Sequence, residues 1–406
     1  MLNSLRSQVG LLAAMQALVL TNNVTLIAVT GLAGFQLADN KLMATLPVTG
    51  YVLGGAIWAM PAAAFMKRFG RRAGYTVGSA AGMVGALAAW WAMTQASLVL
   101  LCLATLVCGL YSAFSASLRF AAADVADTYL PSFKARAISL VLTGGIVGGV
   151  IGPEISIWSR TWLPTQFAGS YLTLVGFALA SMALAQLLRL PSAAQAAQAA
   201  LSGEPARPLA EILRQPLCWA AILISALGYG IMNLLMVATP LAMEVCKHPY
   251  ASAALVLEWH IIGMFAPGLF TGSLIQRFGV LPVVVTGCLL MIACVAIALT
   301  GVELMQFVLA LTLLGVGWNF MYTGATTLLT NAYRPSEKNK VQGFMDLCVF
   351  TVMITTSASS GAMLMVNGWS VLNLVSLPIV LVSLACALWL GTRTGWGLGR
   401  VASKAA

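Results

Sequence analysis

Two pairs of residues stand out for the chemistry they could do. Met232 and Met236 are four apart, and so are His260 and Met264. On a helix this spacing puts each pair on one face. Three thioethers and one imidazole facing each other suit a soft, low-coordinate ion. Thioether sulfur selects Cu(I), whereas zinc or iron calls for thiolate, carboxylate or several imidazoles, and magnesium or calcium for oxygens. Met243, Cys246 and His248 follow closely and read as a stepping set for an incoming soft ion. Chance weighs against the first pair. With 19 methionines in 406 residues, about one Met-x-x-x-Met arises at random, so that pair alone reads as packing. The His-x-x-x-Met pair is rarer, expected roughly 0.1 times with two histidines. A methionine lining also makes an adaptable apolar pocket for an organic solute.

The elements that carry these pairs are membrane spans. The chain is 60% hydrophobic and 8% charged with a mean hydropathy of +0.93, whereas a soluble domain carries charge at roughly a quarter of its positions. A hydrocarbon core of ~30 Å takes about 20 apolar residues per helix. Apolar runs fall near 9–35, 42–66, 73–94, 97–123, 135–159 and 167–189. A polar Ala/Gln/Pro-rich stretch at 191–214 follows, and then six more runs near 216–243, 252–275, 280–300, 304–329, 340–365 and 369–391. The runs exceed the length of barrel strands. The expected fold is therefore an all-α integral membrane protein of twelve transmembrane helices: a six-helix bundle over 1–190, a linker over 191–214 and a second bundle over 215–406. Gln8 to Phe35 is span-length and runs on into more spans, so it reads as a span and not as a cleaved leader. Counting inward at ~1.5 Å per residue puts His260 level with Met236, and Met264 level with Met232.

The net charge of +10 belongs to loops, where basic residues set orientation, and nucleic acid is excluded as a partner. Three of the 21 Lys and Arg (Lys41, Arg160 and Lys247) fall on one side; the other 18 lie on or nearest the side with the termini and linker. Both termini are thus expected in the cytoplasm. The eight cysteines are scattered singly and show no framework spacing. Ionisable residues inside spans cost about 2.5 to 3.5 kcal/mol each and mark pathway candidates. Here these are Arg119 with Asp124 and Asp127 after it, Glu154, Glu258 and Asp346, any of the last three a possible proton carrier. Arg68 and Arg71, together with the acids after helix 4, read as a gate network. Glu258 is two residues from His260 and points to another face.

The halves echo each other. Lys67-Arg68-Phe69-Gly70 recurs as Gln276-Arg277-Phe278-Gly279, and Pro131-Ser132-Phe133-Lys134-Ala135-Arg136 as Pro335-Ser336-Glu337-Lys338-Asn339-Lys340, at the offsets 209 and 204. Phe65 to Arg72 resembles the basic signature between helices 2 and 3 of the major facilitator superfamily, with Lys67 where an acid is usual. The glycines Gly144, Gly145, Gly148, Gly149 and Gly152, ending in Pro153, are similar to that superfamily's Gly-rich helix 5. The resemblance implies two bundles rocking around a midplane site.

Met-x-x-x-Met in helix 7 with His-x-x-x-Met in helix 8 further resembles the CcoA-type branch, bacterial inner-membrane copper importers that supply cbb3-type cytochrome c oxidase. That implies Cu(I) as the transported substrate at Met232, Met236, His260 and Met264, a cytosolic thiol or copper chaperone as acceptor, and a monomer in the bilayer. Related members of the branch have been connected with riboflavin, so the alternative is a transporter of a small organic solute. A receptor or assembly factor without transport is a third class. No nucleophile–base set or phosphate loop points to an enzyme.

Overall fold

The computed structural model describes residues 2–130, 134–190, 207–334 and 337–396. The side chains of Lys67, Arg119, Asp127, Lys134 and Arg136 lie outside the described residues, as does most of the expected linker. The described residues are helical throughout, with no strand among them.

The first half comprises α1 (Leu2–Leu37), α2 (Leu46–Phe69), α3 (Arg71–Thr94), α4 (Leu98–Ser115), α5 (Leu118–Tyr129), α6 (Lys134–Ser159) and α7 (Ala168–Leu187). The short α8 (Leu209–Leu213) leads into α9 (Pro216–Val245), α10 (Tyr250–Phe265), α11 (Gly268–Phe278), α12 (Val280–Ala298), α13 (Leu304–Thr330) and α14 (Lys338–Thr394). Among the described residues, ten stretches are long and apolar enough to cross a membrane. The 26-residue α6 adds a further span, and the 57-residue α14 doubles back at Gly368 (φ 77°, ψ 175°), which makes it two. The twelve-helix arrangement expected from the sequence is present. Apolar side chains point outward along it, Met60 being 72% and Val99 69% exposed, as lipid-facing surfaces require.

Two of the expected spans are broken. Between α4 and α5, the Ser115 and Ser117 hydroxyls bond back to the carbonyls of Tyr111 (2.8 Å) and Phe114 (3.0 Å), competing with the helical ladder. Between α10 and α11 stands Pro267, which has no N–H to give. There Asn319 of α13 donates its Nδ2 to the freed Met264 carbonyl (2.7 Å), and Thr271 donates to Asn319 Oδ1 (2.7 Å). The break is thus satisfied internally, as lipid demands.

The sequence repeat is also a structural one. Gly70 (φ 86°, ψ 160°) joins α2 to α3 and Gly279 (φ 97°, ψ 164°) joins α11 to α12, a left-handed turn that only glycine adopts freely. Arg68 stacks over Phe69 at 5.2 Å, and Arg277 over Phe278 at 5.1 Å.

Within the first half, α1 lies against α6 and α7, and α3 against α4 and α7. Asn22 donates to the Leu174 carbonyl (3.0 Å), Thr25 to the Gly152 carbonyl (2.9 Å), and Thr30 pairs with Tyr171 (3.0 Å). Such bonds contribute about 0.6 kcal/mol each between spans. In the second half, α9 packs chiefly on α14 and α13, and α10 on α13. The halves meet along two seams, α6 with α10 and α2 with α14.

Candidate functional site

At mid-depth the second half gathers four rings. Trp318 and Tyr322 of α13, one turn apart, are stacked with centroids 5.2 Å apart and planes 10° from parallel. Tyr229 of α9 stands edge-on to both, at 5.2 Å and 86° from Trp318 and 5.3 Å and 78° from Tyr322. Phe265 closes the corner at 6.3 Å from Trp318. It is the last residue of α10, so the break before Pro267 fixes where its ring lies. Phe265 also touches the first half: a Cβ at Gly145 of α6 would come 3.1 Å from its ring. Trp318 is buried, with its Nε1 unpaired, whereas Tyr229, Tyr322 and Phe265 are half-buried.

The sequence-predicted residues lie close by in the chain. Met232, Met236, His260 and Met264 are all buried. His260 Nδ1 sits 2.7 Å from the Leu311 carbonyl of α13, which can only accept, so Nδ1 carries the proton and Nε2 is left as a buried acceptor with no partner among the described residues. Asn233, between the two methionines, donates to the Met353 carbonyl and to Thr356 and Ser357 of α14. The methionine pair therefore belongs to a helix whose main contacts are with α14 and α13, and the His260–Met264 pair to one whose main contacts are with α13 and, across the seam, α6. The direct α9/α10 contact, on which the level pairing rests, is narrow.

At the end opposite the termini, Met243 is fully buried, and burial pushes the Cys246 thiol above its usual range. His248 Nε2 is bonded to the Val302 carbonyl (2.7 Å), its ring edge-on to Phe307. Glu154 is exposed on α6 and Glu258 half-buried on α10; the two lie within electrostatic reach of each other across the seam. Asp346 is half-buried.

At the termini end, Arg71 meets Asp124 through Nε (2.9 Å) and Nη2 (2.7 Å), joining the basic signature to α5. Arg68 is exposed and Arg119 lies outside the described side chains. Sequence reasoning missed a second ion pair there. Arg207 holds buried Glu337 at both oxygens (2.8 Å each), and the Arg207 and Arg334 N–H groups also donate to it. These donors, the Arg207 guanidinium first, hold the Glu337 carboxyl well below the usual carboxylate range.

Residues 10–266 and 248–402 match the Major Facilitator Superfamily. The chain belongs to that superfamily. Its members are transporters, so this is a membrane transporter and not an enzyme. The fold is shared with a D-xylose–proton symporter, at a TM-score of 0.74 with 12% identity over 96% of this chain and 98% of that one. In sequence the chain is similar to the riboflavin transporter RfnT of Brucella anthropi, 37% identical over 376 residues, 92% of this chain and 93% of that protein. It is also 27% identical to the uncharacterized MFS-type transporter YddS of Bacillus subtilis over 89% of this chain and 86% of that one.

The likeness to a riboflavin transporter over nearly the full length overturns the copper expectation. With it fall copper as substrate and partner, the thiol or chaperone acceptor, and the supply of a cbb3-type oxidase. The physical reason is visible in the facilitator fold. Methionines at i, i+4 are what a buried helix face offers to its neighbours, and all four residues are buried, on helices that pack on α13 and α14 (α9) and on α13 and α6 (α10). The expected stepping residues are a buried thioether, a half-buried thiol whose acidity burial lowers and an imidazole already bonded. Trp318 and Tyr322 were legible as an aromatic pair at i, i+4 in the middle of a span, away from the interfacial belts where such residues usually sit.

Proposed function

We propose that this facilitator carries a small organic solute, riboflavin or a chemically similar compound, into a bacterial cell across the inner membrane by alternating access. The observation that supports it most is the 37% identity to a riboflavin transporter over 92% of the chain. Half-buried aromatic rings suit an amphipathic, ring-bearing solute, because they offer large apolar contact. The distribution of basic residues supports a cytoplasmic location for the termini. In that orientation the seam contacts made by Tyr250 face outward. The test is growth: a riboflavin-auxotrophic bacterium lacking its own uptake system should grow on micromolar riboflavin when it expresses this protein. Failure to grow, with the protein present in the membrane, would remove riboflavin as the substrate.

A further inference from the structure

We infer that the corner of Tyr229, Phe265, Trp318 and Tyr322 receives a planar heteroaromatic ring carrying an acceptor atom, either a ring carbonyl or a ring nitrogen. The inference rests on the transporter reading above and names the part of the solute this corner holds.

Depth is the first argument. Tyr229 is 13 residues into the 30 of α9, and Trp318 is 14 into the 27 of α13, so both sit about 20 Å from the helix ends. That is the middle of the bilayer, where facilitator-type proteins of two repeats place solutes between the halves. Aromatic residues that serve the membrane interfaces lie at the ends of spans. Phe265, against Gly145, places the corner at the seam between the halves.

The rings themselves are the second argument. Stacked and edge-on pairs at 4.5–7 Å hold each other in favourable geometry, so the corner is preorganised. Three of its four rings keep accessible surface. A flat ring laid against them gains contact without any rearrangement of the wall.

The third argument is an unpaired donor. Trp318 is 6% exposed, yet its Nε1 has no hydrogen-bond partner among the described residues. An indole N–H only donates, and buried donors are ordinarily paired. Trp90 Nε1 is unpartnered in the same way, but of the two only Trp318 stands among stacked rings at mid-depth, next to Asn319, which does find a carbonyl at Met264. Trp318 is therefore set to meet an acceptor that arrives with the solute. A sugar or polyol would fill the hydrogen bond but leave the stack unused, and an aliphatic solute would do neither.

The test uses purified full-length protein with riboflavin, with lumichrome as the flavin ring lacking the side chain, and with ribitol as the side chain lacking the ring. Binding is read by quenching of flavin fluorescence, with melting temperature as the check on folding. Lumichrome should bind and displace riboflavin, and ribitol should not. Trp318→Phe, which keeps the stack and loses the donor, should weaken binding about 3- to 10-fold. Trp318→Leu, which loses both, should weaken it by roughly 10- to 100-fold or more. If riboflavin binds both variants as it binds the wild type, the ring sits elsewhere and this inference is wrong, while the proposed function stands. If no flavin is bound or transported but a pterin or purine is held in a Trp318-dependent way, riboflavin is wrong as the proposed solute and the corner stands. If none of these rings binds, both are wrong.

Discussion

The seam between α6 and α10 is held in two ways along its length. Away from the termini it is bonded. Tyr250 donates its hydroxyl to Ser156 Oγ (2.9 Å), the Arg160 guanidinium lies 4.5 Å over the Tyr250 ring, and Phe167 flanks it at 5.9 Å. Across the other seam at the same end, the Gly361 N–H reaches Thr45 Oγ1 at 3.4 Å. At mid-depth the α6/α10 contact is, among the described residues, one of shape alone. A Cβ at Gly149 would come 2.7 Å from Ile261 Cγ2, and one at Gly145 would meet the Phe265 ring. Directional bonds either hold or break, whereas smooth glycine faces let helices shift without losing a partner. The difference separates a lock from a pivot within one helix pair. It also puts the aromatic corner beside the pivot, where a solute feels the movement of both halves.

Changes that fill the pivot should have the largest effect. Gly149→Leu forces a side chain into a space already taken by Ile261, and overpacking of this kind costs about 1–3 kcal/mol or more. Uptake should fall tenfold or more with the protein still in the membrane. Unchanged uptake would mean that the mid-depth contact does not have to move.

Loosening the lock should be milder and opposite in character. Tyr250→Phe removes one hydrogen bond, about 0.5–1.5 kcal/mol, and should shift the halves about 3- to 10-fold toward opening away from the termini. Faster alkylation of a cysteine placed at Ala254, a buried position on α10, would report this. Equal alkylation in the two backgrounds would show that the bond holds nothing. Arg160→Gln gives up a cation–π contact of about 0.5–1 kcal/mol and should move the same signal by only ~2- to 5-fold.

The Arg207–Glu337 pair ties two segments of one half together and should leave the seam signal unmoved. Glu337→Gln is expected to lower the melting temperature at pH 7. The folded carboxyl is held below its ordinary range, so its contribution is fully present above the unfolded value of about 4.3. It is lost only as pH falls from there through the lower folded value. The gap between wild type and variant should therefore be constant from pH 7 to pH 5 and close only in stronger acid. A gap that closes above pH 5 would contradict the assignment.

The sequence carried the fold further than the site. Hydropathy alone delimits the spans, because apolar length is all that a bilayer asks of a helix. The repeated Arg-Phe-Gly at 68–70 and 277–279 marks two turns of one geometry. The breaks at Ser117 and Pro267 were hidden because hydropathy does not register a lost helical bond. Arg71 with Asp124 was legible as opposite charges on neighbouring loops. Met232, Met236, His260 and Met264 misled for the opposite reason. Four-residue spacing says which residues share a face, but not which helix that face meets, and here α9 packs chiefly on α14 and α13 and α10 on α13 and α6, with little contact between α9 and α10. The partner of a donor such as Trp318 Nε1 is a tertiary fact with no local signature.

The central claim is that the solute is organic and ring-bearing, and flux through purified protein tests it most directly. Proteoliposomes containing only this transporter should accumulate riboflavin over protein-free vesicles, with unlabelled lumichrome inhibiting and ribitol without effect. Flux no greater than in protein-free vesicles, from protein that is folded and inserted, would contradict the account.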